Sequence, residues 1–235
     1  MRKIISLNFR RHTNKDKEGN ATKYGLQKAK EIGKNISKNK VLKGYTSDIK
    51  ENRCIKTLKE IEKGFKQELG VSSISRKTSR KSIGESIIIR NKEKLYDLLL
   101  NKLNGDVIKF YQLWYANKIP KNIILQPKEI TDLIVKDRFA HIFRFIRMKS
   151  YGDLKKYDVK PIHVENITHD VIVGALLTTL TGKKMTKFSK KYVIKPRQEI
   201  SFDFYKNKDK LKIMLRYNDF KLDVTSKINN ILENK

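Results

Sequence analysis

Residues 2–33, RKIISLNFRRHTNKDKEGNATKYGLQKAKEIG, decide the fold. The opening RKIISL is a β-branched stretch of strand character, and the segment from about Thr22 to Ile36 places Leu26, Ala29, Ile32 and Ile36 at helical spacing. Between them lies a short polar loop. Strand, loop and helix in that order is the α/β unit, whose chemistry sits at the carboxyl end of the strand. Here the strand runs into Arg10, Arg11 and His12, one of only four histidines in the chain.

Working outward, the same design recurs. VLKGYTS at Val41 to Ser47 is short but correctly placed for a second strand, and Asp48 with Glu51 resembles a helix N-cap and its partner. The next helix passes through Leu58, Ile61, Phe65 and Leu69 and stops near Gly70. Val71 to Gly84 is rich in Ser, Arg and Lys and reads as loop. A mainly helical insertion then occupies about residues 85–158, punctuated by Pro120 and Pro127. PIHVENITHDVIVGALLTTLTG, residues 161–182, repeats the opening design, with a strand to about Thr168 and a helix from Asp170 to a stop at Gly182. His163, Glu165 and Asn166 are polar for a central strand, which places this one nearer solvent. EISFDFYK and LKIMLRYN, joined by a polar turn, read as a closing hairpin.

The chain has 235 residues, 38% apolar and 34% charged, enough for one α/β domain spanning 1–235 with its own core. A single cysteine, Cys54, excludes an internal disulfide and a thiolate metal cluster, which favours a reducing compartment. No signal peptide or membrane-length apolar run is visible, so a cytoplasmic protein with no membrane partner is expected. The net charge of +29 points toward anionic partners such as nucleic acid. Its lysines, however, are scattered along the chain, as an AT-rich coding bias and a solvated surface produce, so nucleic acid is not the favoured partner.

His12 and His169 each stand where a strand gives way to a helix, and in a parallel sheet those positions share one edge. Arg11 precedes the first histidine. Arg53 lies in the first turns of the second helix, where side chains lean back toward the same edge. Two imidazoles, two guanidiniums and helix N-terminal amides form a site for a dianionic oxyanion, of which phosphate is the commonest. His141 and His163 read as packing or surface residues, and Cys54 as buried against the sheet. Phe110, Tyr111, Trp114 and Tyr115 form either core or a stacking surface for an aromatic ligand, and Lys183, Lys184 and Lys187 a solvated run that widens the positive field.

FRRHT with GNATKYGLQKAKEIG, then YTSDIKENRCIKTLKEI, then ITHDVIVGALL together resemble the histidine phosphatase, or phosphoglycerate mutase-like, superfamily. The likeness covers about residues 2–69 and 160–182. It implies a three-layer α/β/α sandwich with a mostly parallel central sheet, the helical insertion and the C-terminal hairpin. It also implies His12 as the nucleophile of a metal-independent, cofactor-free phosphatase that hydrolyses phosphate monoesters, of small molecules or phosphoproteins, through a phosphohistidine. Arg11, Arg53 and His169 would bind the phosphoryl oxygens, with Thr13 standing where the family has glycine. The proton donor is either Glu85, in the loop after the second helix and beside an apolar run, or Asp170, which otherwise reads as a helix N-cap; Glu85 is preferred by position. Two other readings remain: a phosphoglycerate mutase-like phosphotransferase, and a non-catalytic basic module that binds nucleic acid or phosphoproteins.

Overall fold

Alternation along the opening strand sorts its side chains onto two faces. The structure, a computed structural model, describes residues 1–36, 41–46, 52–69, 77–79, 81–84, 87–148, 161–208 and 210–234. In β1 (Arg2–Arg11), Ile5, Leu7 and Phe9 join the larger hydrophobic core while Ser6, Asn8 and Arg10 face the other way. The chain continues through α1 (Lys23–Asn35), β2 (Val41–Thr46), α2 (Asn52–Leu69) and β3 (Lys77–Ser79). The insertion follows: α3 (Lys92–Asp97), which runs on as a π-helical turn, α4 (Val107–Tyr115), α5 (Pro127–Ile134), a second π-helical turn at Val135–Phe139, and α6 (Ala140–Met148). The chain closes with β4 (Ile162–Thr168), α7 (Asp170–Thr181), β5 (Glu199–Asn207), β6 (Lys210–Tyr217), β7 (Phe220–Asp223) and α8 (Thr225–Glu233).

The strands form one sheet in the order β3-β2-β4-β1-β5-β6-β7. Pairings from β3 across to β1 are parallel, and those from β1 to β7 antiparallel. The sheet is therefore an α/β sheet that is parallel only in its first half. The expected hairpin is a three-stranded meander that extends the sheet, because β5 pairs along the whole of β1. β3, in the stretch read as loop, adds a short edge strand.

Two layers cover the sheet. On one face α1 and α2 bury Ala29, Cys54, Leu58, Ile61 and Phe65 against Leu42 and Ile167. On the other, α7 and the second half of the insertion lie over Ile5, Leu7, Phe9, Val164, Phe202 and Phe204. Phe139 anchors the insertion there, with its ring 4.9 Å from Phe202 and 6.5 Å from Phe9. Burying one such ring contributes about 2–3 kcal/mol. This half of the insertion is thus part of the sandwich, and α5 is tied to α7 by the Thr131 hydroxyl donating to the Ala175 carbonyl at 3.1 Å.

β4 corrects the expectation of solvent. It lies between β2 and β1, and Glu165 and Asn166 are fully buried with His163 nearly so. Their polarity is answered across the sheet. Arg10 Nε donates to Glu165 at 2.6 Å, Arg10 also pairs with Glu199, and its Nη1 donates to the Arg197 carbonyl at 2.8 Å. His163 Nε2 lies 2.8 Å from Glu165, and Asn166 bonds the Asn8 carbonyl and receives Arg138 Nε. Burial alone would raise the Glu165 pKa, but the Arg10 charge and His163 override it and hold the carboxyl well below the usual range.

Candidate active site

Register brings the two histidines together. β1 and β4 are adjacent and parallel with Arg11 opposite Thr168, so the next residues, His12 and His169, leave the sheet side by side. The His12 amide makes the last cross-strand bond, to the Thr168 carbonyl at 2.9 Å. Both residues are buried, with ring centroids 5.2 Å apart and planes at 71°. The His12 Nδ1 is 2.7 Å from the Thr13 carbonyl. A carbonyl only accepts, so Nδ1 carries the proton and Nε2 keeps its lone pair.

Burial pushes His12 down from its ordinary 6.5 to about 4; the Thr13 carbonyl works the other way, and the fields of His169, Arg53 and Arg11 add to the fall. His12 is thus a neutral imidazole throughout the physiological range. The sign of the linkage follows. Between pH 6.5 and 4 the unfolded chain takes up a proton that folded His12 refuses, so stability falls as pH drops across that window, by roughly 3 kcal/mol in total. Denaturant titrations at several pH values should show this slope, and His12→Ala should flatten it.

Arg11 and Asp170 form the second side of the site. Arg11 Nη1 donates to the Ile194 carbonyl and lies 3.9 Å from Asp170 Oδ2, while Arg11 Nε is buried with no hydrogen-bond partner among the described residues. The stretch from Ile194 to Gln198 grips the end of β1 through backbone bonds on both sides of Arg11. Asp170 is not the helix cap that its sequence position suggested. His169 occupies the N-cap position of α7 and Asp170 is the first helical residue, its Oδ2 accepting from the Tyr111 hydroxyl of α4 at 3.1 Å. His169 Nε2 also sits 3.9 Å from the buried Cys54 sulfur.

Arg53 belongs to the first turn of α2, and its position is fixed by Thr57. The Thr57 hydroxyl donates to the Arg53 carbonyl at 2.7 Å and accepts from the Thr13 amide at 3.2 Å, locking α2 to the loop after β1. Thr13 is fully buried beneath α1. A β-carbon on Gly25 would lie 1.9 Å from the Thr13 hydroxyl oxygen, so glycine in the first turn of α1 accommodates threonine in the loop after β1. Gly25→Ala should cost about 1–3 kcal/mol. In a Thr13→Gly background the same change should cost less, the approaches to the Thr22 hydroxyl at 3.0 Å and the Asn14 amide at 3.1 Å remaining, and thermal denaturation of the four proteins measures the coupling.

His12, His169, Arg11, Arg53, Thr13 and Asp170 therefore converge. Glu85 lies outside the described residues, as do Asp48 and Glu51. Thr57 and Gly25 were not legible as parts of the site, the one available signal being a glycine inside the first turn of an amphipathic helix, and Tyr111 was read only as core or as an aromatic stacking surface. Among the described residues no group of three or more His, Cys, Asp or Glu is arranged to hold a metal ion. No helix among them is long and apolar enough to cross a membrane.

No family model matches the chain, and no curated protein matches it in sequence. Solved structures do match. A mycobacterial glucosyl-3-phosphoglycerate phosphatase superposes with a TM-score of 0.56 at 10% identity, covering 91% of this chain and 97% of that one. Bacillus stearothermophilus YhfR gives 0.54 at 12% identity, over 89% and 95%. A protein described as mycobacterial hydrolase 2 gives 0.56 at 9%, over 98% and 97%. Identities this low speak for architecture alone. With that architecture shared from end to end, the chain has the fold of the histidine phosphatase, or phosphoglycerate mutase-like, superfamily.

Proposed function

We propose that the protein hydrolyses phosphate monoesters through a phosphohistidine at His12. The observation that carries the reading is the pairing of a buried, neutral His12 with His169 at 5.2 Å, inside the field of Arg11 and Arg53. His12 Nε2 attacks phosphorus and the P–O bond to the leaving alcohol breaks, its electron pair passing to that oxygen. Arg11, Arg53, His169 and the amino end of α7 stabilise the charge on the equatorial oxygens, and the unpartnered Arg11 Nε is a donor that a phosphoryl oxygen satisfies. A water then attacks the phosphohistidine, the N–P bond breaks, and neutral imidazole is restored.

The leaving oxygen needs a proton, and the water must lose one. Asp170 serves both steps, supported by its place in the constellation beside Arg11 and under the Tyr111 hydroxyl. Asp170→Asn should lower turnover of alkyl phosphates by about 10²-fold or more and that of aryl phosphates, whose leaving groups need little help, far less. Glu85→Gln assayed in parallel decides between the two carboxylates: a leaving-group dependence confined to Glu85→Gln reassigns the role.

The function is tested by screening the purified protein against phosphate monoesters, phosphopeptides and nucleotides, with His12→Ala alongside. Release of inorganic phosphate that disappears in His12→Ala supports the reading. Chromatography of a phosphoglycerate reaction separates hydrolysis from transfer, since a mutase returns an isomer.

A further inference from the structure

A cavity of about 510 Å³ opens at the far end of α7 from the histidines. Its boundary includes Thr178 of that helix and Gly182, which caps it. Thr178 is nine residues beyond His169, roughly 13 Å along the axis. The histidine pair therefore lies outside it, although its Tyr115 wall adjoins that site through the Tyr111 ring, 6.2 Å away, whose hydroxyl bonds Asp170; the cavity's chemistry differs from a phosphoryl cradle.

Two tyrosines make its aromatic wall. Tyr115 and Tyr192 stack with centroids 6.5 Å apart and planes at 28°. The Tyr115 hydroxyl rests on Gly174, where a β-carbon would lie 1.9 Å from it, so α7 is bare at the one point where the ring needs room. Tyr192 holds a left-handed backbone (φ 57°), and so does Asn117 (φ 55°), which also lines the cavity. Such a conformation costs a bulky residue such as tyrosine on the order of 1 kcal/mol and asparagine less.

Lys128, Lys183 and Lys184 are also in the lining. Lys128 is paired with Asp132 at 2.5 Å, so the excess positive charge falls to Lys184 and to Lys183, whose ammonium lies over the Phe220 ring at 5.2 Å. The carbonyls at the end of α7 oppose an anion, but Lys227 donates to the Leu180 carbonyl at 2.8 Å and offsets them. An aromatic wall, a basic rim, and the amides and hydroxyls of Gln112, Asn117 and Thr178 in a cavity of this size match a base, a phosphate and a ribose.

We propose that this cavity is a second ligand site, for a nucleoside phosphate, with the base against Tyr192 and Tyr115 and the phosphate at Lys183 and Lys184. The proposal stands on the cavity and is independent of the phosphohistidine reading. The chain's single tryptophan, Trp114, is a built-in probe, since its ring is 4.8 Å from Tyr115. The 235-residue chain is titrated with AMP and with ribose 5-phosphate, each with and without saturating orthovanadate to occupy the histidine site. A saturable fluorescence change with AMP, absent with ribose 5-phosphate, is expected. Tyr192→Asn removes the ring while keeping a residue that tolerates the left-handed turn, and should weaken AMP at least about tenfold. Lys183→Glu with Lys184→Glu should do the same and reduce the salt dependence. The proposal is overturned if AMP gives no saturable change, if ribose 5-phosphate gives an equal one, if orthovanadate abolishes the response, or if Tyr192→Asn leaves the affinity unchanged.

Discussion

His12→Ala is expected to reduce turnover of 4-nitrophenyl phosphate by on the order of 10⁴-fold or more while leaving the protein folded. The magnitude follows from the role: without a nucleophile the covalent route is closed, and what remains is the modest help of a positively charged pocket. The fold should survive because residue 12 is placed by its backbone amide to Thr168 and by its neighbours, while the imidazole's bond to the Thr13 carbonyl is local to the loop. Removing the ring also removes the refusal to accept a proton between pH 6.5 and 4, so the variant should resist mild acid better than the native protein. Loss of activity, retained circular dichroism and a flattened acid slope together distinguish a missing nucleophile from a damaged core. In the native protein, kcat/KM corrected for substrate ionisation should hold down to about pH 4 on its acid side. An acid limb near 6.5 would mean that His12 is not held neutral.

Glu165→Ala should be the most damaging single change to stability, at about 3–5 kcal/mol. Its carboxylate is fully buried and is shared by Arg10 Nε at 2.6 Å and His163 Nε2 at 2.8 Å. Truncation leaves the buried Arg10 guanidinium with Glu199 and one carbonyl and strips His163 of its acceptor. For a chain of this length the loss amounts to a fall in Tm of roughly 6–20 °C. Removing both members is a different experiment. In Arg10→Met with Glu165→Leu no buried charge is stranded, and Glu199, a third exposed, regains water, so the double variant should recover at least half of the loss. A single-variant cost under about 1 kcal/mol would show that the network is solvated rather than buried.

These two residues also show how far the sequence could be read. The alternation of Ile5 and Leu7, the helical face of Leu26, Ala29 and Ile32, and the matching pattern around His169 are local signals, and from them the α/β units and the convergence of His12 with His169 follow. Arg10 and Glu165 are 155 positions apart, and neither one's neighbours reveal that each neutralises the other. That is why β4 looked solvated when it is an interior strand, held between β2 and β1. The adjacent arginines of FRRH divide their labour for the same reason: successive side chains of β1 face opposite ways, so Arg11 reaches Asp170 while Arg10 enters the buried network. The antiparallel half escaped because a hairpin pattern does not say which strand its outer edge will join. Thr13 and Gly25 are legible only together, since the clash that makes glycine necessary depends on where α1 crosses the loop.

The most direct test is to quench the native protein during turnover of an aryl phosphate, digest it under alkaline conditions, and locate any phosphoryl group by mass spectrometry. A phosphoryl group that is stable to base and labile to acid, on the peptide carrying His12 and absent from His12→Ala, is the predicted result. Turnover with no label on His12, or with the label on another residue, would contradict the account.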